Sequence, residues 1–409
     1  MSENTFSFQR RRNALEILQG AWSGEPLTAS DLIERTGLTR STVIAVCDDL
    51  IELGWIEELA NQRAAGDYVK GRPARRYALR RTAGVIVGVD AGQHSVGVDV
   101  ADLLGDTIAH HVELVDHEPV EELPRERRLA DIELILDRTL RRAGVPDDEV
   151  LAVTFGVPAP VDADGRSPVG DNGFWSAMNP GLGDRFAARG WSAVVDNDAN
   201  LAALAEGWRG AAVGCSDYVA LLSGERLGGG VVLGGTLLRG ARGLTGEMRY
   251  LDLVEGVGSA EGVAALARSW AQESLAAPGR APSLLDAVEH PGAEQVLAAA
   301  AAGDPLAREV VDRLAARLTA VAATLANLLD VSLLVVGGAL AASAGPLLAD
   351  VSERVAALVH APAPRIVPST LGDRAVALGA VRAGLDRVRA DPLALRLSGG
   401  ASATAATGG

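Results

Sequence analysis

Thr39, Arg40, Ser41 and Thr42 place one long cation among three short hydroxyls within a single helical turn, and the small Ala45 follows one turn on. An arginine can meet guanine with two parallel hydrogen bonds, while serine and threonine hydroxyls can bond to bases or phosphates. Further along, Gly66, Lys70, Gly71, Arg72 and Pro73 make a polar, basic stretch suited to lying along phosphate. These residue types at this spacing suit the recognition of nucleic acid. Metal or nucleophile sets are sparse by comparison. Cys47 and Cys215 are the two cysteines, and the six histidines (94, 110, 111, 117, 290 and 360) show no ligand spacing apart from the adjacent pair His110 and His111, which reads as surface. No metal and no cofactor is expected.

The net charge of −15 argues against a nucleic-acid partner only if it is spread evenly. Residues 1–82 carry 12 Lys and Arg against 11 Asp and Glu, whereas the other 327 residues carry 26 against 42. The head is therefore near neutral, with arginines gathered at 10–12 and at 72, 75, 76, 80 and 81. A locally basic face can bind phosphate although the body is acidic. No apolar run reaches the roughly 18 residues that cross a membrane, and the polar start MSENTFSFQRRRN does not read as a signal peptide. Two lone cysteines fit a reducing compartment, so a cytoplasmic protein is expected.

The elements that must position the recognition residues can be read from the same stretch. Residues 8–20 place Ala14, Ile17 and Leu18 on one helical stripe. Thr28 or Ser30 can cap a short helix through Glu34, Gly37 supplies a turn, and Thr39 or Ser41 caps a second helix with Val43, Ile44, Val46, Leu50, Ile51 and Leu53 mostly inward. Two helices about a short Gly-containing turn make a helix-turn-helix, whose second helix enters the major groove by its first turn. WIEELA and RRYALR then read as two strands flanking a wing that carries Lys70 and Arg72. The same pattern would suit a small helical dimerisation domain, but helix order, turn glycine, polar first turn and basic wing agree on DNA.

From Val85 buried strands alternate with helices, and Gly-rich turns follow strand ends repeatedly, where α/β proteins place ligands. Strands are expected at VIVGVD, SVGVDVAD, LAVTFGVPAPVD, SAVVDND, YVALLSG, GGGVVLGGTLL and VSLLVVGG. Helices are expected from Pro124 to about Arg142, over ANLAALAEGWRGA and over 304–330. The organisation is a DNA-binding head over 1–82, a large α/β domain over 83–390 and a low-complexity tail over 391–409.

The order of motifs resembles the ROK family of repressors and sugar kinases, across residues 8–385. It runs from the winged helix through Gly71-Arg72-Pro73, Tyr77 and Leu79 into Gly88-Val89-Asp90-Ala91-Gly92. The resemblance implies an actin/hexokinase-like domain of two ribonuclease-H-like lobes. Family kinases open with Asp-Ile-Gly-Gly-Thr; here the string is Asp90-Ala91-Gly92-Gln93-His94, without the second glycine and the threonine. The second phosphate turn, usually Gly-Thr-Gly-x-Gly, reads Gly224-Glu225-Arg226-Leu227-Gly228, which sets a repulsive carboxylate where a γ-phosphate would lie. Gly337-Gly338 matches the adenosine-side turn, though a glycine pair after a buried strand is also plain fold geometry.

The sugar side is better kept. Asn197-Asp198-Ala199-Asn200 matches the family's Asn-Asp-Ala-Asn, in which the aspartate at the position of Asp198 is the kinases' general base. The resemblance makes Asn197 and Asp198 sugar contacts, whereas Asn200 reads as a helix cap and not a ligand contact. Gly240 to Glu247 matches the segment that carries a sugar-binding glutamate, and Glu261 matches a second one loosely. The family's zinc-binding histidine is Tyr250 here, and LDLVEGVGSAEG holds none of the accompanying cysteines. Tyr250 stands either as a partner for a sugar or as a core tyrosine.

The expectation is a DNA-binding regulator, a repressor of carbohydrate-metabolism genes. It would be a homodimer or homotetramer that reads double-stranded operator DNA and senses a small sugar effector through a kinase-like domain without kinase activity. In that setting Asp198 keeps only the vestige of a catalytic base. Two other readings stand beside it: an ATP-dependent, glucokinase-like enzyme with a DNA-binding head, and a regulator whose pocket binds nothing.

Overall fold

The computed structural model describes residues 8–59, 75–116, 120, 123–169, 173–338 and 343–395. The head consists of α1 (Phe8–Ala21), β1 (Leu27–Thr28), α2 (Ala29–Thr36), α3 (Arg40–Glu52), β2 (Ile56–Leu59) and β3 (Arg76–Leu79). Thr28 rather than Ser30 caps α2, and Asp31 closes the capping box by reaching back to the Thr28 amide at 2.8 Å. Gly37 ends α2 at φ 68°, a left-handed turn that a side chain would strain. The three strands form an antiparallel sheet in the order β1-β3-β2, with Leu27 opposite Tyr77 and Ile56 opposite Leu79. The wing between β2 and β3, with Lys70 and Arg72, lies outside the described residues.

The first lobe holds β4 (Val85–Ala91), β5 (Ser95–Ala101), β6 (Thr107–Leu114), α4 (Arg125–Ala143), β7 (Val150–Val157), α5 (Phe174–Met178), α6 (Leu182–Ala187), β8 (Ser192–Asn197) and α7 (Asp198–Arg209). Its sheet order is β6-β5-β4-β7-β8; β4, β5 and β6 are antiparallel and β4, β7 and β8 parallel. The second lobe holds β9 (Tyr218–Ser223), β10 (Leu227–Leu233), β11 (Thr236–Leu238), α8 (Val263–Ala276), α9 (Ala293–Ala301), α10 (Pro305–Leu329), β12 (Leu333–Gly337), α11 (Gly345–Ala356), β13 (Arg365–Pro368) and α12 (Ala375–Ala390). Its order, β11-β10-β9-β12-β13, repeats the same plan: three antiparallel strands, then two parallel ones. Two such sheets in one chain are the two ribonuclease-H-like lobes the motif order implied.

The last helix ties the parts together. α12 leaves the second lobe and packs against α7, β4 and β7 of the first. The approach is close: a Cβ on Gly379 would lie 1.8 Å from the Leu201 carbonyl oxygen, and one on Gly88 would lie 2.1 Å from that of Ala377. The far end of α12 reaches the head. Val381, Leu385 and Val388 share one apolar core with Ile17, Leu18, Leu32, Leu50 and Trp55, to which Ile86, Leu103 and Leu151 of the first lobe also belong. Arg11 pairs with Asp391, and the Arg389 guanidinium lies 5.2 Å from the centre of the Trp22 ring. Residues 391–395, assigned above to the tail, therefore belong to this junction, with Leu393 and Leu395 packed on the core. Among the described residues no helix is long and apolar enough to cross a membrane.

Candidate functional site

Two places carry exposed or unusual chemistry: the first turn of α3 and the cleft between the lobes. On α3, Val43, Val46, Cys47 and Leu50 are buried, which turns Arg40, Ser41 and Ala45 outward. Thr39, not Ser41, is the N-cap; its hydroxyl accepts from the Thr42 amide at 3.3 Å and shares hydrogens with the Ser41 and Thr42 hydroxyls. Arg40 makes no ion pair among the described residues. The acids further along α3 are neutralised: Asp49 by Arg10 and Asp48 by Arg75, which also holds Glu58 at 2.7 Å. Sequence reasoning did not find this pairing, because residues 27 and 39 positions apart carry no spacing signal.

The cleft is built from strand ends. β4 ends beside Asp90, β8 ends on Asn197, and α7 begins at Asp198, so two carboxyls of the first lobe meet at the opening. Asn197 is the cap of α7: its Oδ1 accepts from the Asn200 amide at 3.1 Å and its Nδ2 donates to the Ala159 carbonyl at 3.1 Å. Asn200, expected to cap, instead donates from Nδ2 to Asp196 at 3.2 Å. The cap is set by which residue still has extended backbone, and here that is Asn197 (φ −67°, ψ 140°). Asn197, Asp198 and Glu247 line one small cavity of about 70 Å³ together with Trp175, Arg226 and Arg249. It shares Asp198 and Arg226 with a cavity of about 380 Å³ that also meets Asp90, Gln93 and His94. Glu261 lies outside both, on an adjoining cavity beside Arg268.

Removal from water raises the pKa of all three cleft carboxyls, which makes them weaker acids. Burial pushes Asp198 up to about 8, with the charges of Asp90 and Glu247 adding to it. Burial pushes Asp90 up to about 7 against the pull of Arg128. Glu247 is raised by burial and held back by Arg226. Carboxyls that keep protons near neutrality can donate as well as accept hydrogen bonds, which suits a ligand bearing hydroxyls.

The two phosphate turns are altered in different ways. The buried Arg128 donates to the carbonyls of Ala91 (2.6 Å), Gly92 (3.1 Å) and Met178 (3.0 Å), fixing the first turn from within the lobe. In the second turn the carboxylate borders the larger cavity but is already paired. Arg268 takes Glu225 in a two-pronged pair at 2.6 and 3.0 Å. Arg226 turns inward instead, its guanidinium 5.0 Å from the centre of the Phe174 ring on the opposite lobe. The segment leading to α8 is held by another buried cation: Arg317 of α10 donates to the carbonyls of Val257 (2.9 Å), Ser259 (2.6 Å) and Glu261 (2.6 Å). Among the described residues no group of three His, Cys, Asp or Glu is placed to hold a metal.

Comparison with known proteins agrees with this architecture. The family model described as "ROK family" matches residues 86–385, and that of the IclR helix-turn-helix domain matches 14–60. A putative xylose repressor from Caldicellulosiruptor sp. is 25% identical over 391 residues, 90% of this chain and 94% of that protein. A glucokinase from Halalkalibacterium halodurans is 32% identical over 209 residues, covering 46% of this chain and 61% of the enzyme's length. A crystal structure of a ROK family transcriptional regulator, a homologue of the E. coli MLC protein, superposes with a TM-score of 0.72 at 22% identity, covering 93% of this chain and 97% of that one. With two ribonuclease-H-like lobes, a matching motif order and a helix-turn-helix fused ahead of them, this chain belongs to the ROK family.

Proposed function

We propose that this protein is a sugar-responsive transcriptional repressor: the first turn of α3 reads operator DNA, and the cleft binds a sugar or sugar derivative that changes operator affinity. The observation that carries the reading is the shared core in which α12 touches the head at one end and borders the cleft, through Ala375 and Val376, at the other. A ligand that favours one arrangement of the lobes is thereby linked to the placing of α3, by at most its difference in affinity between the two arrangements. The likeness to the putative xylose repressor over 90% of the chain supports the same reading. Asn197, Asp198 and Glu247 are the proposed sugar contacts, with Glu261 at the rim. Thr39, Arg40, Ser41, Thr42, Lys70 and Arg72 are the proposed DNA contacts. Two copies on a two-fold operator, as a dimer or within a tetramer, would set two α3 helices one turn of DNA apart.

Phosphoryl transfer is the competing use of the cleft, and the likeness to a glucokinase keeps it in view. Two features oppose it: Gln93 and His94 stand where family kinases carry a glycine and a threonine in the first phosphate turn, and Glu225 stands in the second. We therefore propose that the domain has no kinase activity, so that Asp198 serves as a hydrogen-bonding partner. Selecting an operator from random DNA with the full-length protein, then titrating it with and without sugars, tests the regulator. ATP-dependent formation of a sugar phosphate, abolished by Asp198→Ala, would favour the enzyme.

A further inference from the structure

We infer that the effector carries an anionic group, as a sugar phosphate or a sugar acid does, and that Arg226 is the residue that selects for it. The inference rests on the reading of the cleft as a sugar site and adds the chemical class of its ligand. Arg226 lines the small cavity with Asp198 and Glu247, the larger one with Asp90 and His94, and the outer one with Glu261. It stands at the one point all three share with each other. The neighbouring acid, Glu225, is already taken by Arg268, and Arg226 itself makes no ion pair among the described residues.

Its setting suits an anion in a further respect. The guanidinium is set against the Phe174 ring from the other lobe, and a guanidinium resting on an aromatic ring keeps its in-plane N–H groups for a planar or tetrahedral anion. The cavities that Arg226 lines also hold carboxyls as partners for hydroxyls: Asp198 and Glu247 in the small one, Asp90 and Asp198 in the larger. The raised Asp90 and Asp198 hold protons near neutrality, so the cavity repels an anion less than three carboxylates would. A ligand that satisfies both walls has a polyol body for Asp198 and Glu247 and one negative group reaching towards Arg226. A neutral monosaccharide leaves the cation with the charge of Glu247 alone.

The test titrates full-length protein by calorimetry with matched pairs: glucose, mannose and N-acetylglucosamine, each beside its 6-phosphate, with glucuronate as a carboxylate arm and ATP as a nucleotide arm. In at least one pair the anionic member should bind tenfold or more tighter than its neutral parent. Arg226→Gln should abolish that preference, and Arg226→Lys should keep part of it. Phosphate and carboxylate arms identify which anion is read. Neutral parents binding as tightly as their anionic partners in every pair overturn the inference alone. So does an anionic preference that survives Arg226→Gln, or ATP binding through Arg226 in place of every sugar. No binding by any sugar overturns the sugar reading of the cleft, and this inference with it.

Discussion

Arg239 of the second lobe donates to Asp196 of the first at 2.7 Å, one residue before the cap of α7 and two before Asp198. The pair bridges the two lobes and ties the loop after β11 to the end of β8. Asp196 is nearly buried, whereas about half of the Arg239 side chain is exposed. Asp196 retains the Asn197 amide and the Asn200 side chain as donors when the arginine is lost. Arg239→Met should therefore cost about 1–2 kcal/mol, between the value of an exposed pair and that of a fully buried one. Thermal unfolding should show a fall of a few degrees in Tm. The variant should also weaken the effect of ligand on operator binding while leaving ligand-free binding unchanged; equal ligand effects in both proteins would remove the pair from the coupling.

The recognition turn makes a second prediction. Arg40→Ala should weaken specific operator binding by about 1–3 kcal/mol, the usual cost of a lost two-pronged base contact. Arg75→Ala acts differently, because it uncovers Asp48 and Glu58 near the same face. It should weaken binding to all sequences alike and more so at low salt, where repulsion is least screened. Titration at two salt concentrations separates the variants, and an Arg40→Ala protein with unchanged base preference would displace α3 from the groove.

Much of the head was legible in the residues because helix caps and turn glycines act locally. Thr28, Gly37 and Thr39 do what their types predict within four residues of chain. The strand-helix order of the lobes was legible in part, with the long helix expected over 304–330 found at Pro305–Leu329; β6, α8, α9, α11 and β13 were not read, and GGGVVLGGTLL, read as one strand, is the antiparallel pair β10 and β11. The long-range features were not. That Glu225 turns onto Arg268, 43 residues away, and leaves Arg226 to the cleft depends on how α8 packs behind the turn. The return of α12 to the first lobe, and the junction of residues 391–395 with the head, likewise rest on tertiary packing that a glycine-rich, alanine-rich helix does not announce. Asn197 and Asn200 were exchanged as caps because both types cap well, and only the backbone distinguishes them.

The cleft carboxyls make stability depend on pH in a definite direction. Asp198 titrates at about 8 in the folded chain and near 3.8 when unfolded, so between those values the unfolded state has released a proton that the folded state retains. Stability is then fully present below the lower value and declines as pH rises towards 8. Asp90, raised to about 7, acts in the same sense. Asp198→Asn should flatten the fall in Tm between pH 5 and 8 and should be more stable than the parent at pH 8. A parent Tm that rises across this interval, or a variant with the same slope, would contradict the assignment.

Arg317 makes a prediction about metal. Its guanidinium gathers three carbonyls of the segment before α8, the region in which the family resemblance implies a zinc site. A chelator should leave Tm unchanged, and metal analysis should find far less than one zinc per chain. Arg317→Met should cost several kcal/mol, since buried carbonyls left without donors cost about 1–3 kcal/mol each. One zinc per purified chain, lost together with stability on chelation, would contradict this.

The central claim is that one cleft senses a sugar and one head answers on DNA. The most direct measurement is operator affinity of the full-length protein with and without the tightest-binding sugar of the calorimetric panel, in the parent and in Asp198→Asn, with each sample also assayed for ATP-dependent sugar phosphorylation. Operator affinity should change tenfold or more in the parent, about 1.4 kcal/mol of coupling. Little or no change is expected in Asp198→Asn, and no sugar phosphate in either. Equal affinities with and without sugar in the parent, together with a phosphorylated product that Asp198→Asn abolishes, would contradict the claim.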